Sequence, residues 1–196
     1  YFVPLNNQIG QSSTNQIDCL ELIGKELNNE ALLLWKMNNG YALANQEGLL
    51  NINSQINNLN QEQREQLKEK LKIGIQWNSE VTISNSRHLV SQAYCAALPV
   101  AYSHVKSIYW ESFARLILEA TYEATLHAAL INLEKTDSNK VFLTLIGGGA
   151  FGNEIDWLIE SLAPAILKFR NTPLEIGIVS YGSSNKNIVE LIKRIN

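Results

Sequence analysis

The sequence is poor in the residues that build metal centres and disulfide frameworks, and it has no long apolar run. Among 196 residues it has only two cysteines, three histidines and one methionine. Cys19 and Cys95 lie far apart and form no metal-binding or redox motif, and the histidines are not clustered. We therefore expect no zinc site, and two reduced, buried thiols in a cytoplasmic protein. No apolar run approaches the roughly 20 residues of a membrane-spanning helix.

Charge is also scarce, and none of it is concentrated. The formal net charge is -3 and no basic cluster stands out, so neither a nucleic acid nor a membrane is expected as the main partner. Hydrophobic residues make up 45% of the chain, which is enough for one domain with a core. We expect a single domain over residues 1–196, with a mostly helical portion over 1–70 and an α/β portion over 71–196.

Hydrophobic periodicity predicts the order of the elements. Asp18 is expected to cap a helix that reaches Met37, and Asn39-Gly40 to form a turn after it. Further predicted helices cover 54–72, 109–133, 154–169 and 185–195, and predicted strands cover 73–77, 88–98, 140–146 and 174–182. The second half therefore alternates helices with strands, which is typical of an α/β fold with buried parallel strands. In such folds, ligands bind at the carboxyl ends of the strands.

The stretch LIGGGAFGN, over 145–153, places four glycines between a predicted strand and a predicted helix. Glycines let backbone N–H groups approach a ligand closely, and the helix N-terminus adds partial positive charge. Together these features favour an anion site, most naturally for phosphate. The alternative is a tight turn in which glycine only permits close packing.

Two standard nucleotide motifs fit this loop poorly. Gly147, Gly149 and Gly152 satisfy the spacing G-x-G-x-x-G, but the next predicted strand ends in Ser-Tyr-Gly, without the carboxylate that holds a ribose. A P-loop needs Lys and Ser or Thr after its glycines, and Asn153 and Glu154 stand there. The sequence therefore favours neither a Rossmann dinucleotide site nor a P-loop.

The stretch VFLTLIGGGAFGN, a helix and then LEIGIVSYG together resemble the last part of a macrodomain, the family that binds ADP-ribose. The likeness covers about 70–196 and is best over 141–182. The longer pattern QAYCAALPVAYS…W..FARLILEATYEATL is similar to a little-characterised branch of macrodomain-like proteins that includes bacterial effectors. This resemblance implies a three-layer α/β fold, with a mixed, largely parallel sheet flanked by helices.

The resemblance also implies a ligand and the residues that hold it. The glycine-rich loop would cradle the diphosphate and distal ribose of ADP-ribose, and Tyr181 would stack on the nucleotide. Gln11, in the polar stretch NNQIGQSSTNQ, could line the same cleft. The implied ligand-binding residues are Gly147, Gly148, Gly149, Ala150, Phe151, Gly152, Asn153, Ser180, Tyr181, Gly182 and Gln11.

The implied partners are ADP-ribose or an ADP-ribosylated protein, in the cytoplasm, or in the host cytosol for a secreted effector. No separate cofactor is expected. No catalytic residue can be assigned, so the sequence does not distinguish a protein that only binds ADP-ribose from one that also hydrolyses its linkage. Two alternatives stay open: a site for another phosphorylated small molecule, and a non-catalytic interaction domain in which the loop only packs. If the loop binds ADP-ribose or another phosphorylated molecule, a Gly148→Glu substitution is expected to block the ligand. If the loop only packs, the same substitution is expected to damage folding.

Part of the macrodomain pattern is not found in the chain. The sequence lacks an early Asn-Ala-Ala-Asn-type loop and the glycine run that comes after it. It also lacks the acidic residue that recognises adenine. The chain also starts with Tyr-Phe-Val-Pro instead of an initiator Met. We expect residues upstream to complete the fold, with Tyr1, Phe2 and Val3 paired to a strand of an N-terminal fragment or of a partner chain.

One predicted helix carries a row of charged side chains. Arg115, Glu119, Glu123 and His127 are spaced four apart and so share a face. Glu119 and Glu123 could form a carboxylate pair near the cleft. The expectation that we favour is a solvated stripe with i,i+4 ion pairs.

Overall fold

The computed structural model describes residues 4–83 and 87–195. Tyr1, Phe2 and Val3, which were expected to pair with an outside strand, lie outside the described residues. The elements in the N-terminal part are β1 (Pro4–Leu5), β2 (Gln8–Ile9), α1 (Glu21–Glu26), β3 (Trp35–Asn38), β4 (Tyr41–Ala44), α2 (Gln46–Asn57) and α3 (Gln61–Lys68). The later elements are β5 (Gly74–Glu80), β6 (Leu89–Tyr94), α4 (Glu111–Thr136), β7 (Lys140–Thr144), α5 (Ile155–Lys168), β8 (Glu175–Val179) and α6 (Lys186–Ile195).

The strands form four separate pairs, so the chain is a mixed α/β protein with small sheets. β1–β2, β3–β4 and β5–β6 are antiparallel hairpins, and β7–β8 is parallel. Within the described residues no sheet has more than two strands, whereas a largely parallel sheet was expected. The difference arises because β5 and β6, expected as its middle strands, pair with each other, and β5 alternates exposed and half-buried side chains.

The helix α4 lies at the centre of the fold, and its prediction over 109–133 is confirmed. Most of its side chains from Phe113 to Leu126 are buried. It packs against α2, α3, α5, β6 and β7. At its start Trp110 is fully buried and donates from Nε1 to Ser103 Oγ at 3.1 Å. Both parts of the chain therefore meet on this one helix.

The unit β7–α5–β8 has the predicted order, but β7 is covered on one side only. Lys140 pairs with Glu175 and Thr144 with Val179 in parallel register. Val141 and Leu143 are buried, whereas Phe142 between them is 69% exposed. The expectation of a strand buried on both faces is therefore wrong for β7.

The N-terminal part departs from its predicted helices. The helix expected to reach Met37 ends at Glu26 because Asn28 and Leu32 adopt left-handed φ angles of 59° and 54°. The buried Asn29 holds this bend, since its Nδ2 donates to Trp35 O at 3.0 Å and its Oδ1 accepts from Leu34 N at 2.9 Å.

The chain then forms the hairpin β3–β4, and the predicted turn at Asn39-Gly40 is confirmed. Both turn residues have positive φ, 50° and 82°, as a two-residue hairpin turn of type I′ requires. The helix predicted over 54–72 is two helices, α2 and α3. They are separated because Asn60 caps α3, with its side chain on the Gln63 amide and the Gln63 side chain on the Asn60 amide.

An ionic network joins α3, α4 and α5. Glu123, on α4, accepts from Lys68 through Oε1 and from Lys168 through Oε2, the latter at 2.7 Å. Glu65 also pairs with both lysines, at 2.6 and 2.7 Å. Glu119 binds Arg64 of α3 at 2.8 Å. Glu119 and Glu123 therefore bridge helices, and the expected stripe of i,i+4 pairs along α4 is wrong for them.

We predict that Glu123→Gln lowers the free energy of unfolding by about 2–3 kcal/mol, because it keeps the side-chain shape but leaves the buried Lys68 short of one carboxylate. The matched control is Glu160→Gln, since Glu160 is 62% exposed and Arg115 is its one ion-pair partner among the described residues. That control should cost less than about 1 kcal/mol. Urea unfolding of both variants tests this, and equal losses would contradict it.

Candidate functional site

The glycine-rich loop, residues 147–153, begins just after β7 and is held to the core by Tyr122. The Tyr122 hydroxyl donates to Thr144 O at 3.0 Å and accepts from Ile146 N at 3.3 Å. Tyr122 is fully buried on α4, and this burial raises its pKa to about 12. The phenol is therefore neutral at physiological pH and fixes the entry to the loop.

Asn153 closes the loop. Its backbone N–H donates to Gly147 O at 3.0 Å, and its Nδ2 donates to Leu98 O at 2.8 Å and to Gly147 O at 3.3 Å. The side chain of Asn153 is buried. Within the loop that these hydrogen bonds close, Gly152 N donates to Gly149 O at 3.0 Å. Asn153, implied as a ligand contact, thus has a structural role in shaping the loop.

Gly147 and Gly152 pack against the segment that comes after β6. They have left-handed φ angles of 85° and 69°, and an added Cβ would lie 2.3 Å from Ala97 Cβ and 2.7 Å from Ala101 Cβ, respectively. Phe151 O also accepts from Ala101 N at 2.9 Å. We call residues 97–101 the loop seat. The stretches CAALPVAYS and GGGAFGN, both part of the resemblance, therefore pack on each other.

The other two glycines differ in their surroundings. A Cβ on Gly148 would lie 2.7 Å from Leu158 Cδ1, on α5. A Cβ on Gly149 would meet no atom of the described residues within 4 Å, and Gly149 and Ala150 are exposed. Three of the four glycines therefore have a packing reason, and Gly149 is the one that faces open space. Gly148→Glu would disturb the core as well as any ligand, so Gly149 is the better position for a blocking side chain.

The exposed part of the loop presents backbone donors. Among the described residues, no protein acceptor takes the N–H of Gly149, Ala150 or Phe151. The helix α5 begins directly after the loop, and its N-cap, Glu154, makes no side-chain capping bond. Free amides beside the positive end of a helix dipole suit an anion. The side chains of Glu154 and Asp156 are exposed.

A second loop, Ser180-Tyr181-Gly182, lies at the same edge of the β7–β8 sheet. The parallel register puts the ends of both strands side by side, at Thr144 and Val179. The side chain of Tyr181 is fully exposed, and Ser180 Oγ accepts from Asn185 N at 3.4 Å. The two loops that the sequence singled out thus leave the sheet at one edge, while Ser180 also shapes its own loop.

Gln11 lies in the N-terminal segment. Its Oε1 accepts from Ile17 N at 2.7 Å, so this side chain holds its own loop. Among the described residues no hydrogen bond joins Gln11 to the glycine-rich loop.

An aromatic cluster that the sequence reasoning missed adjoins the loop. The rings of Tyr41, Tyr102 and Phe151 contact one another edge to face, with centroids 5.2–5.9 Å apart. Tyr41 comes directly after the Asn39-Gly40 turn, and Tyr102 comes directly after the loop seat. The sequence places each of these aromatic residues in or beside a loop or turn. It does not show that these three segments contact one another.

Other groups that could do chemistry are engaged elsewhere. Glu119 and Glu123 bind cations of α3 and α5, and Trp157 is a buried core residue. Within residues 4–83 and 87–195, no group of three or more His, Cys, Asp or Glu side chains is placed to hold a metal ion. No helix in the same ranges is both long and apolar enough to cross a membrane.

Comparison with known proteins gives no match to a family model, a curated protein or a solved structure. A function for this chain therefore has to be inferred from the geometry of its two loops.

We predict that alanine substitutions at two glycines of the loop differ strongly in their effect on stability. Gly147→Ala should lower the free energy of unfolding by about 2–4 kcal/mol, because the methyl group collides with Ala97 and φ is left-handed. Gly149→Ala should change it by less than about 0.5 kcal/mol, because the site is open. Urea unfolding followed by circular dichroism measures both. Similar costs at the two positions would contradict the described loop.

A second prediction concerns Tyr122. A tyrosine in an unfolded chain titrates near pH 10, so the raised pKa in the folded state gives stability that is complete below about pH 10 and is lost as the pH rises toward 12. Tyr122→Phe should cost about 1–3 kcal/mol at pH 8, because it leaves Thr144 O and Ile146 N unpaired.

The difference between wild type and Tyr122→Phe should shrink by about 1 kcal/mol at pH 11. Urea unfolding of both proteins at the two pH values measures this, and all other titrating groups cancel in the comparison. A difference that stays constant with pH would show that Tyr122 is not buried as described.

Proposed function

We propose that the protein binds ADP-ribose, or an ADP-ribosylated protein, through the loop Gly147–Asn153, as the resemblance to macrodomains implies. The observation that carries the proposal is that no described residue accepts from the amides of Gly149, Ala150 and Phe151, which lie in the loop just before α5. A diphosphate accepts several hydrogen bonds at once, and oriented backbone donors next to a helix N-terminus suit it. A strand, a loop, a helix and a strand come in that order from β7 to β8, and this order is the one that the resemblance implies.

Tyr181 supplies the second part of the proposed site. Its ring is fully exposed at the end of β8, next to the end of β7. An exposed tyrosine can stack on a base or cover a sugar, which adds apolar contact to the hydrogen bonds of a phosphate. In this proposal Tyr181 contacts the nucleoside, with Ser180 and Gly182 shaping the loop that carries it.

The proposal is one of binding in the first place. Hydrolysis of an ADP-ribose linkage would also need a group that activates water. Glu154 and Asp156 are the carboxylates next after the loop in the chain, and both are exposed. They become candidates for that role only once a bound ADP-ribose places its distal ribose beside them.

An alternative function has its own supporting observation. Gly147, Gly148 and Gly152 each have a packing partner, namely Ala97, Leu158 and Ala101. A loop that serves packing alone would need glycine at these three positions. It would not need Gly149, where a side chain meets nothing. A non-catalytic interaction domain therefore explains three of the glycines, and a ligand explains the fourth.

The test is calorimetric titration with ADP-ribose, with AMP and inorganic phosphate as controls. We predict that ADP-ribose binds, that phosphate does so at least about tenfold more weakly, and that Gly149→Glu abolishes binding because its carboxylate faces the diphosphate. The control Ser138→Glu adds the same charge at the amino end of β7, where Ser138 is exposed, and should leave affinity unchanged.

Tyr181→Ala should weaken ADP-ribose binding by about 1–2 kcal/mol and leave phosphate binding unchanged. A folded Gly149→Glu variant that binds ADP-ribose like the wild type would refute the proposed site. Equal affinities for ADP-ribose and for phosphate would favour a general phosphate site instead.

A further inference from the structure

A cavity of about 360 Å³ borders the glycine-rich loop at Phe151. Its other walls come from the N-terminal segment, the β3–β4 hairpin, the residues just before β5, the segment after β6 and the inner face of α4. Its volume falls in the range of about 300–1,000 Å³ that is common for small-molecule sites. Among the described residues, it shares only Phe151 with the glycine-rich loop, and neither Gly149 nor Tyr181 lines it.

The walls of the cavity are mainly apolar and partly aromatic. Met37, Leu71 and Ile117 contribute aliphatic surface, and Tyr41 and Phe151 contribute rings. These two rings lie at 83° to each other with centroids 5.9 Å apart. A corner of two nearly perpendicular rings offers both a face and an edge to a third ring. The shape therefore favours a flat, aromatic ligand.

The cavity has one charged lining residue among those that the structure describes, Lys72. Lys72 makes no ion pair with a described residue, but its charge acts on the nearby thiol of Cys19 and on the carboxylate of Glu21. Two carboxylates lie in the same region and are engaged. Glu21 pairs with Lys25 at 2.7 Å, and Asp18 Oδ1 accepts from Leu20 N at 2.8 Å. A lysine that lines an apolar cavity and makes no ion pair with a described residue favours a ligand with one negative charge.

We propose that this cavity is a second ligand site, which takes a small aromatic compound with one anionic group. The rings of the ligand lie against Tyr41 and Phe151, and its charge meets Lys72. The proposal does not rest on ADP-ribose binding, since Gly149, Ala150 and Tyr181 are outside the cavity lining and, among the described residues of the loop, only Phe151 borders both sites.

The test uses two fluorescent probes with the same ring skeleton. 1-Anilinonaphthalene-8-sulfonate carries one negative charge, and N-phenyl-1-naphthylamine carries none. Each should bind the folded protein saturably at one site. Ala96 lines the cavity and is exposed, so Ala96→Trp should fill the entrance without disturbing the core. This variant should weaken both probes at least about tenfold.

A second pair of variants tests the charge. Lys72→Gln should weaken binding of the anionic probe about threefold and leave binding of the neutral probe unchanged, since an ion pair exposed to water is weak. Lys36→Gln is the matched control. Lys36 precedes the lining residue Met37 on β3 and so points to the opposite face of the hairpin. It should change neither probe.

Thiol protection locates the probes without any variant. Cys95 lines the cavity, and its burial raises the pKa of its thiol, so alkylation is measured at about pH 9 by peptide mass spectrometry. Saturating neutral probe should slow alkylation of Cys95. An unchanged alkylation rate, or probe affinities that Ala96→Trp does not alter, would overturn the proposal. Displacement of both probes by ADP-ribose would also overturn it, because the cavity would then belong to the nucleotide site.

Discussion

The burial of α4 on nearly all sides is the constraint on which the rest of the fold depends. Leu116, Ile117 and Leu118 are consecutive, and all three are buried, so no single face of this helix is the apolar one. Apolar surface on every side needs cover on every side. The helices of the N-terminal part supply one side, and α5 with β7 supplies the other. Glu123, a carboxyl side chain that this burial encloses, pairs with lysines of α3 and α5.

The glycine-rich loop inherits its shape from this core. Tyr122 reaches from α4 to the residues that enter the loop, and the loop seat holds it from the other side through Ala97 and Ala101. Asn153 ties both together, because its carboxamide binds Leu98 O and Gly147 O. The exposed amides are thus fixed before any ligand arrives. A preorganised site loses little entropy on binding.

Sequence reasoning succeeded where the signal was local. The turn at Asn39-Gly40, the helix α4 and the strand–loop–helix–strand order from β7 to β8 each depend on neighbours in the chain. It failed where a specific side-chain contact decides, whether that contact is near in the chain or far away. The end of α1 depends on the side chain of Asn29, which binds the backbone five and six residues later. The roles of the glycines depend on Ala97 and Ala101, about fifty residues away in the chain, and no periodicity reports such a contact.

The charge distribution constrains what the loop edge can recognise. Neither the loop after β7 nor the one after β8 contains a lysine or an arginine, and the whole chain is acidic. Attraction for an anion must then come from N–H groups and from the helix dipole, which act mainly within the first turn of α5. Such short-range donors do not attract phosphate over long distances. A useful affinity therefore requires additional contact, and Tyr181 is the exposed ring at the same edge of the sheet. This edge accordingly favours a ligand that joins a phosphate to a flat or apolar group over phosphate alone.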